Sequence, residues 1–243
     1  MDTKIAFVTG AANGIGAAVA TALAGKGMRV AVCDVNTRDG EATAERIGGE
    51  FIRCDVTSLA SVRAAADHCI RTLGVPRYVH LNAGIMTVPT GDAFLAVEDV
   101  SEEQYRRIVG VNLDGVFHGL KTLLPMLREH GGAITITASI AGLTAVPVDP
   151  LYTATKYAVI GLGRAVAAAN EGANVRINVI CPGVVDTAIV PDAFRGPRFA
   201  PMPPAVLAAE VIDLLLNGAN GEVRVKAAGD RQAFTVEPMD LRG

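Results

Sequence analysis

The stretch Thr9-Gly10-Ala11-Ala12-Asn13-Gly14-Ile15-Gly16 decides the fold of this chain. It follows an apolar run at 4–9 and opens an alanine-rich run at 14–26. Glycines at such a junction allow a tight turn and a close approach of the backbone to a ligand. The start of the following helix offers free N–H groups and a partial positive charge to a phosphate. The pattern G-x-x-x-G-x-G after a first strand therefore indicates a dinucleotide cradle, although ordinary tight turns use glycines in the same way.

Short apolar runs alternate with helical patterns along the rest of the chain. Strands are predicted at 4–9, 29–34, 51–54, 77–81, 133–138, 175–180 and 222–225. Helices are predicted at 14–26, 38–47, 58–73, 101–129, 151–170 and 204–217, with Pro125 bending or interrupting the long fourth one. This alternation predicts a Rossmann-type α/β/α fold, a three-layer, doubly wound parallel sheet of about seven strands. We see no linker or repeat, so we expect one domain over 1–243.

Composition excludes several classes of function. Half of the 243 residues are hydrophobic and only 5% are aromatic, which suits strands buried on both faces. The net charge of −3 and the lack of a basic run give no reason to expect nucleic acid binding. No apolar run reaches membrane-spanning length, and Met1-Asp2-Thr3-Lys4 lacks the basic region of a signal peptide, so we expect a cytoplasmic protein that does not bind membranes. The scattered cysteines have no metal-ligand spacing and are predicted to be small core residues; they are Cys33, Cys54, Cys69 and Cys181.

An acidic residue at the end of the second strand indicates which dinucleotide is bound. The Asp34 carboxylate, 18 residues after Gly16, can accept hydrogen bonds from the ribose hydroxyls and repels a 2′-phosphate. Neither Val35 nor Asn13 offers a cation for such a phosphate, and Arg38 is expected on a solvated helix face. The sequence therefore favours NAD, with a turn or cap as the alternative role of Asp34.

Two further strand ends carry candidate cofactor contacts. Asp55 after the third strand can accept a hydrogen bond from an adenine amino group while Val56 covers the ring, or it can simply form a turn or cap a helix. The small residues Asn82, Ala83 and Gly84 follow the fourth strand and would let the backbone pass close to a cofactor.

A proton-transfer group is predicted on the fifth helix. Tyr152 and Lys156 are four residues apart, so they share one helix face. A neighbouring ammonium is expected to lower the phenol pKa from its usual value of about 10, as a general acid/base requires. Ser139, at the end of the fifth strand, can donate a hydrogen bond to a substrate oxygen. Each residue also has an ordinary explanation, either surface packing or a turn.

Taken together, these segments resemble the short-chain dehydrogenase/reductase family, and the resemblance extends over almost the whole chain. The segments are 9–16, 82–84, Ser139, Tyr152-x-x-x-Lys156 and Pro182-Gly183. The resemblance implies a seven-stranded Rossmann-type sheet, no metal requirement and Tyr152 as the general acid/base. It also implies that Asn112 holds a water that relays protons from Lys156, and that Pro182, Gly183, Val185 and Thr187 follow the nicotinamide. The 176–189 run and the tail resemble the 15-hydroxyprostaglandin dehydrogenase branch. A homodimer or homotetramer is expected.

The predicted activity is the NAD(H)-dependent interconversion of a secondary alcohol and its ketone. The alternatives are an NADPH-dependent ketoreductase and a non-catalytic dinucleotide-binding regulator. The proline-rich segment 186–204 is long enough to act as a lid. Predicted catalytic residues are Asn112, Ser139, Tyr152 and Lys156. Predicted cofactor contacts are Gly10, Asn13, Gly14, Ile15, Gly16, Asp34, Val35, Asp55, Val56, Asn82, Ala83, Gly84, Tyr152, Lys156, Pro182, Gly183, Val185 and Thr187. Predicted substrate contacts are Ser139, Ala141, Leu143, Val146 and Tyr152.

Overall fold

Strands and helices alternate from residue 5 onward in the computed structural model, which describes residues 4–191, 195 and 200–238. The strands are β1 (Ile5–Thr9), β2 (Arg29–Asp34), β3 (Glu50–Arg53), β4 (Tyr78–Leu81), β5 (Gly132–Thr137), β6 (Val175–Pro182), β7 (Val223–Lys226) and β8 (Phe234–Thr235). The helices are α1 (Gly14–Gly25), α2 (Thr37–Ile47), α3 (Leu59–Thr72), α4 (Glu102–Val109), α5 (Gly115–His130), α6 (Pro150–Ala168) and α7 (Pro204–Leu216). A π-helical turn, Gly110–Asp114, joins α4 to α5.

The strands form one sheet in the order β3-β2-β1-β4-β5-β6-β7-β8. Neighbouring strands from β3 to β7 pair in parallel, and only β8 runs antiparallel, against β7. The chain moves outward from β1 to β3 and then returns to the other side of β1 with β4. The switch in strand order therefore lies between β1 and β4, which is where ligands bind in sheets of this kind.

Both faces of the sheet are buried, and this gives the fold three layers. In β5, Ile134 and Ile136 point to one face and Ala133 to the other, as the period of two requires. The first face packs on α3, α5 and α6 through residues such as Val62, Leu120, Leu127 and Val159. The opposite face packs on α1 and α7 through residues such as Val19, Leu23, Leu207 and Val211. The predicted doubly wound α/β/α fold is thus confirmed.

The long helix predicted over 101–129 is divided, but not at Pro125. Pro125 lies inside α5, and the break is the π-helical turn at Gly110–Asp114. In that turn the N–H of Gly115 bonds to the carbonyl of Gly110, five residues back. A π-helical turn inserts an extra residue into the helix, and nothing in the apolar pattern reveals it. The short strand β8 is also absent from the sequence prediction, because its two residues are too few to show alternation.

The four cysteines are unpaired and buried, as the sequence predicts. Within the described part of the chain, no three His, Cys, Asp or Glu side chains are grouped to hold a metal ion. No helix among the described residues combines the length and apolarity needed to cross a bilayer.

Candidate active site

A crevice of about 580 Å³ runs along the carboxyl ends of the central strands. Most of the predicted cofactor residues line it: Gly10, Asn13, Gly14, Ile15, Asp34, Val35, Asp55, Val56, Asn82, Ala83, Gly84, Tyr152, Lys156, Pro182, Gly183, Val185 and Thr187. Ser139 lines it as well. The structure therefore brings together residues from the ends of six strands, β1 to β6.

The glycine turn after β1 is shaped by contacts that leave no room for side chains. Gly10 has φ of +62°, and a Cβ placed on it would lie 2.8 Å from Ala83 Cα. A Cβ on Gly16 would lie 2.1 Å from the carbonyl oxygen of Gly10. Gly16 does not line the crevice; it lets the start of α1 pack directly behind the turn. The free N–H groups at the start of α1 can therefore lie against a bound phosphate.

A hydrogen-bond chain through Asn82 fixes this turn to the neighbouring strands. Asn82 Nδ2 donates to the carbonyls of Thr9 and Gly10, both at 3.2 Å. The Thr137 hydroxyl donates to Asn82 Oδ1 at 3.1 Å, and Thr137 Oγ1 lies 3.3 Å from His80 Nε2. The Asn82 side chain is thus occupied by the protein, and the N–H groups of Asn82 and Ala83 donate to the Thr9 hydroxyl at 2.9 and 3.3 Å. The small side chains of Ala83 and Gly84 are what leaves room for a ligand here.

Asp34 connects the end of β2 to the glycine turn. One carboxylate oxygen accepts from the Ala12 N–H at 2.9 Å and the other from the Asn36 N–H at 3.0 Å. A carboxylate has about four acceptor positions, so Asp34 retains capacity for ribose hydroxyls. The turn role and the ligand role, which the sequence offers as alternatives, are therefore compatible.

Asp55 and Val56 line the same end of the crevice. Asp55 Oδ1 accepts from both the N–H and the hydroxyl of Thr57, at 2.9 and 2.7 Å. This is the turn geometry that the sequence offers as the alternative role for Asp55. Its other oxygen has no hydrogen bond from the described residues and remains able to accept one from a ligand.

The side chain of Asn112 binds the backbone of Ile85. Asn112 Oδ1 accepts from the Ile85 N–H at 2.8 Å, and Nδ2 donates to the Ile85 carbonyl at 2.9 Å and to the Thr155 hydroxyl at 3.1 Å. Asn112 lies in the π-helical turn and is 1% exposed. Its side chain anchors a crevice wall. A water bound to Asn112 would therefore have to donate either to the second lone pair of Oδ1 or to the Asn112 backbone carbonyl.

Ser139, Tyr152 and Lys156 converge at the other end of the crevice. Ser139 Oγ accepts from the Ala141 N–H at 3.1 Å, and the Ser139 side chain hydrogen-bonds to Tyr152. Lys156 Nζ donates to the Thr137 carbonyl at 3.1 Å and lies 5.5 Å from the centre of the Tyr152 ring. A Cβ placed on Gly84 would lie 3.3 Å from Lys156 Nζ, so the segment after β4 passes directly over the ammonium.

The lowered pKa predicted for Tyr152 is wrong for this structure. Burial raises the pKa of Tyr152 to about 12, and the hydrogen bond with Ser139 offsets only part of that rise. Burial also lowers the pKa of Lys156 to about 8. Helical spacing places the two side chains on one face, but desolvation opposes the charged form of each. Lys156 donates to a backbone carbonyl, and no hydrogen bond joins it to the phenol.

The wall opposite the glycine turn comes from the segment after β6. Thr187 approaches the turn closely, since a Cβ on Gly14 would lie 3.1 Å from Thr187 Cγ2. Val185 pairs with Met202 in an isolated parallel bridge, which holds the two ends of the predicted lid together. Arg195 forms an ion pair of 2.7 Å with Asp186. Of that lid, the parts at 192–194 and 196–199 lie outside the described residues.

Three predicted substrate contacts do not reach the crevice. Ala141 is buried in a short 3-10 turn (Ile140–Gly142) behind Ser139, and Leu143 packs against the core. Val146 is held by backbone bonds of 3.4 Å with the Thr153 hydroxyl. These three residues are therefore held by contacts within the protein, and their role as substrate contacts stays a prediction.

Several residues that line the crevice were not named individually from the sequence, although Ile189 and Val190 lie in the predicted lid at 186–204. These lining residues are Cys54, Thr57, Ile85, Val111, Thr137, Ala138, Ile189 and Val190. Most lie within a few residues of a predicted strand end or of Asn112, so position relative to those points is the signal that could have found them.

The family model and the similar proteins both indicate the same family. Residues 4–197 match the family described as short chain dehydrogenase. The chain is 38% identical to D-threitol dehydrogenase from Mycolicibacterium smegmatis over 205 residues, covering 82% of this chain and 76% of that protein. It is 34% identical to 3-alpha-(or 20-beta)-hydroxysteroid dehydrogenase from Mycobacterium tuberculosis over 187 residues, covering 76% of this chain and 70% of that one.

Solved structures show the same architecture. The structure of 3-ketoacyl-(acyl-carrier-protein) reductase from Brucella melitensis complexed with NADH matches with a TM-score of 0.85 and 28% identity, covering 94% of this chain and 98% of that one. Levodione reductase matches with a TM-score of 0.84 and 26% identity, covering 93% of this chain and 96% of that one. With the crevice, the glycine turn and the Ser139, Tyr152 and Lys156 cluster at its end, these matches show that the chain belongs to the short-chain dehydrogenase/reductase family of oxidoreductases.

Proposed function

We propose that this protein is an NAD(H)-dependent oxidoreductase that interconverts a secondary alcohol and its ketone, with Tyr152 as the general acid/base. The observation that carries the proposal is the convergence of Ser139, Tyr152 and Lys156 at one end of the crevice that has Asp34 at its other end. A regulator that only binds a dinucleotide would not need this buried proton-transfer group.

The residues present fit a nicotinamide dinucleotide. The glycine turn provides a cradle that a Cβ would fill, and the Asp34 carboxylate retains acceptors for ribose hydroxyls. Its negative charge disfavours a 2′-phosphate, and Asn13 and Val35 beside it offer no cation. When bound, the dinucleotide supplies the acceptor or donor of the hydride. The NADH named in the Brucella reductase structure supports the same class of cofactor here.

Tyr152 holds and releases the substrate proton. At neutral pH the phenol is protonated, because its pKa is raised to about 12, and it can donate to a ketone oxygen during reduction. The Ser139 hydroxyl beside Tyr152 can turn from the phenol to donate to the same oxygen as negative charge develops on it. Oxidation needs the phenolate, so we expect its rate to rise as the pH increases. Lys156, anchored on the Thr137 carbonyl, would bind and orient a cofactor ribose.

We infer an uncharged substrate. Ile85, Ile189 and Val190 line the crevice with apolar side chains. Lys156 is the one charged residue at the Tyr152 end among the described lining residues, because Asp34 and Asp55 lie at the other end. Apolar walls around a small polar group favour an aliphatic or alicyclic secondary alcohol. The relatives named above act on alcohols of different kinds, so they support the reaction class more than one substrate.

The first experiment is an NADH absorbance screen of alicyclic and aliphatic secondary alcohols with NAD and NADP in parallel. We expect turnover with NAD alone, and none in a Tyr152→Phe variant that still binds NADH with nearly unchanged affinity. Tyr105→Phe is the matched control, since Tyr105 is an exposed tyrosine that does not line the crevice. Substantial turnover by Tyr152→Phe would exclude Tyr152 as the acid/base, and turnover with NADP would favour the ketoreductase alternative.

A second experiment examines the choice of cofactor. We expect Asp34→Ser to relax the preference for NAD toward NADP, because it removes the charge that opposes a 2′-phosphate. The measurement is the ratio of kcat/KM for the two cofactors. Asp39→Ser on the exposed start of α2 is the control. An unchanged ratio in Asp34→Ser would mean that another residue reads the ribose.

We also propose that the chain forms a homo-oligomer through its α5 and α6 surface. Phe117 on α5 and Tyr157 on α6 are 47% and 48% exposed. The neighbouring exposed positions Ala154, Ala158 and Gly161 are small, which lets another surface approach closely. Sedimentation of wild type and Tyr157→Glu would test this, and a wild-type monomer at micromolar concentration would overturn it. The single domain over 1–243, the lid at 186–204, the branch resemblance and the cytoplasmic location stay predictions from the sequence.

A further inference from the structure

Asp149 is a buried carboxylate whose hydrogen-bond partners are all neutral. It directly precedes α6 and is 2% exposed. Oδ1 accepts from the Tyr152 N–H at 2.9 Å and from the Thr87 hydroxyl at 2.6 Å, and Oδ2 accepts from the Thr87 N–H at 3.0 Å. Among the ion pairs of the described residues, none includes Asp149. A buried charge without a cation is costly, so its three donors and the helix start must stabilise it.

Through Thr87, Asp149 is bonded to the segment that follows β4, which forms one wall of the crevice. Thr87 is 4% exposed, and its carbonyl accepts from Arg107 Nη2 of α4 at 2.8 Å. Two residues earlier, Ile85 lines the crevice and is held on both backbone groups by Asn112. The wall is therefore fixed at Ile85 from the π-helical turn, and at Thr87 from α4 and from the start of α6.

We propose that Asp149 is a positioning residue that joins Tyr152 and the 85–87 wall into one rigid unit and sets the charge environment of the phenol. This inference rests on the proposed function of Tyr152. Asp149 does not line the crevice, so it acts on the substrate only through Tyr152 and Ile85. One carboxylate oxygen accepts from both elements, which means that neither can shift without breaking a bond to the other.

The charge of Asp149 has a separate effect from its geometry. The groups that act on the Tyr152 phenol are Ser139 at the end of β5, Lys156 on α6, Cys181 on β6 and Asp149 itself. A negative charge on Asp149 opposes ionisation of the phenol and raises its pKa. Asp149→Asn keeps an acceptor for the Tyr152 N–H but removes that charge, so the alkaline rise in oxidation should begin at a lower pH.

Three variants separate geometry from charge. Thr87→Val keeps the shape of the side chain and removes its hydroxyl donor, while the backbone N–H still bonds to Asp149 Oδ2. Asp149→Ser still caps α6 but is too short to reach Thr87. Asp149→Asn removes the charge and also replaces one acceptor oxygen by an NH2 donor, so its pH profile is compared with that of Thr87→Val, which weakens the joint and keeps the charge. Thr144→Val, in the exposed part of the preceding loop, is the matched control. We expect Thr87→Val and Asp149→Ser to speed hydrogen exchange of peptides over 85–91 by about tenfold and to raise KM several-fold. We expect Asp149→Asn to lower the midpoint of the pH profile of kcat/KM by about half a unit or more.

The outcomes decide the inference independently of the proposed reaction. Unchanged exchange over 85–91 in both Thr87→Val and Asp149→Ser would overturn the joint between Tyr152 and the wall. An unchanged pH midpoint in Asp149→Asn, with only a lower melting temperature, would reduce Asp149 to a helix cap. If wild-type protein turns over no alcohol, the proposed function fails, while the exchange measurement still decides whether the joint exists.

Discussion

The buried side chain of His80 should make the free energy of unfolding fall in mild acid, and the size of this loss can be estimated from the structure. It lies in β4, is 0% exposed, and has ring nitrogens 3.3 Å from the Thr135 carbonyl and 3.3 Å from the Thr137 hydroxyl oxygen. Burial lowers the pKa of His80 from 6.5 to about 4. The unfolded chain therefore takes up this proton before the folded protein does. The contribution of His80 to stability is complete above pH 6.5 and is lost as the pH falls through 4.

The shift corresponds to about 3 kcal/mol in total, at about 1.4 kcal/mol per pKa unit. By pH 4.5 most of this contribution, about 2 to 3 kcal/mol, should have been lost from the unfolding free energy. Urea unfolding from pH 7.5 to 4.5 measures the loss, and the wild type must be compared with a variant because carboxylates titrate in the same range. We expect His80→Asn to be less stable at pH 7.5 but to lose less stability on acidification.

His68→Gln is the matched control, because it removes a histidine whose side chain is 40% exposed and lies outside the buried sheet. With only four histidines in the chain, NMR can follow the His80 ring directly. A native His80 that titrates near 6.5, or equal losses of stability in wild type and His80→Asn, would refute the reasoning. Because Thr137 links His80 to Asn82 and the glycine turn, weaker NADH binding should accompany protonation.

Two further substitutions probe how the fold supports the crevice. Gly16→Ala should weaken NADH binding by at least about tenfold and lower the stability, because its Cβ would lie 2.1 Å from the Gly10 carbonyl oxygen. Gly25→Ala in the same helix is the control, since its Cβ meets nothing within 4 Å and the substitution should stabilise the protein slightly. Similar NADH affinity of the two variants, measured by fluorescence titration, would contradict this prediction. Arg176→Met should lower the unfolding free energy by about 2 kcal/mol, because the Arg176 guanidinium donates to backbone carbonyls at the end of α7. These are the carbonyls of Leu215, at 2.7 Å, and of Leu214, Leu216 and Gly218. Arg38→Met on an exposed face of α2 should leave the unfolding free energy almost unchanged, and urea unfolding of both variants gives the comparison.

The sequence predicts the sheet well because parallel strands buried on both faces leave a clear signal. Runs such as 29–34 and 175–180 are apolar and are bounded by turn residues, and the structure places strands there. The same signal is absent at β8, where Phe234 and Thr235 form only two residues of an exposed edge. It is also absent at Gly110–Asp114, because a π-helical turn changes the hydrogen-bond register without changing the apolar pattern.

The cofactor side of the crevice was more predictable than the substrate side. Gly10, Asp34, Asp55 and Asn82 each follow a strand, so sheet topology alone brings them to one edge. The contacts of Ala141 and Leu143 depend instead on how a loop leaves Ser139, and no periodic pattern governs that. The bond between Thr87 and Asp149 joins residues 62 apart in the chain, and nothing local to either residue predicts it.

The pKa of Tyr152 shows why residue spacing cannot establish the chemistry of a site. A separation of four residues correctly predicts that Tyr152 and Lys156 share a helix face, but it carries no information on solvation. Burial drives both groups toward their neutral forms, raising the pKa of Tyr152 and lowering that of Lys156. At pH 7 the phenol retains its proton and Lys156, with a pKa of about 8, remains mostly charged. The protein by itself is therefore poised to donate a proton, and oxidation at neutral pH requires an additional positive charge or hydrogen bond at the phenol. The oxidised nicotinamide ring carries such a charge, so cofactor binding and the readiness of Tyr152 to act as a base should be linked.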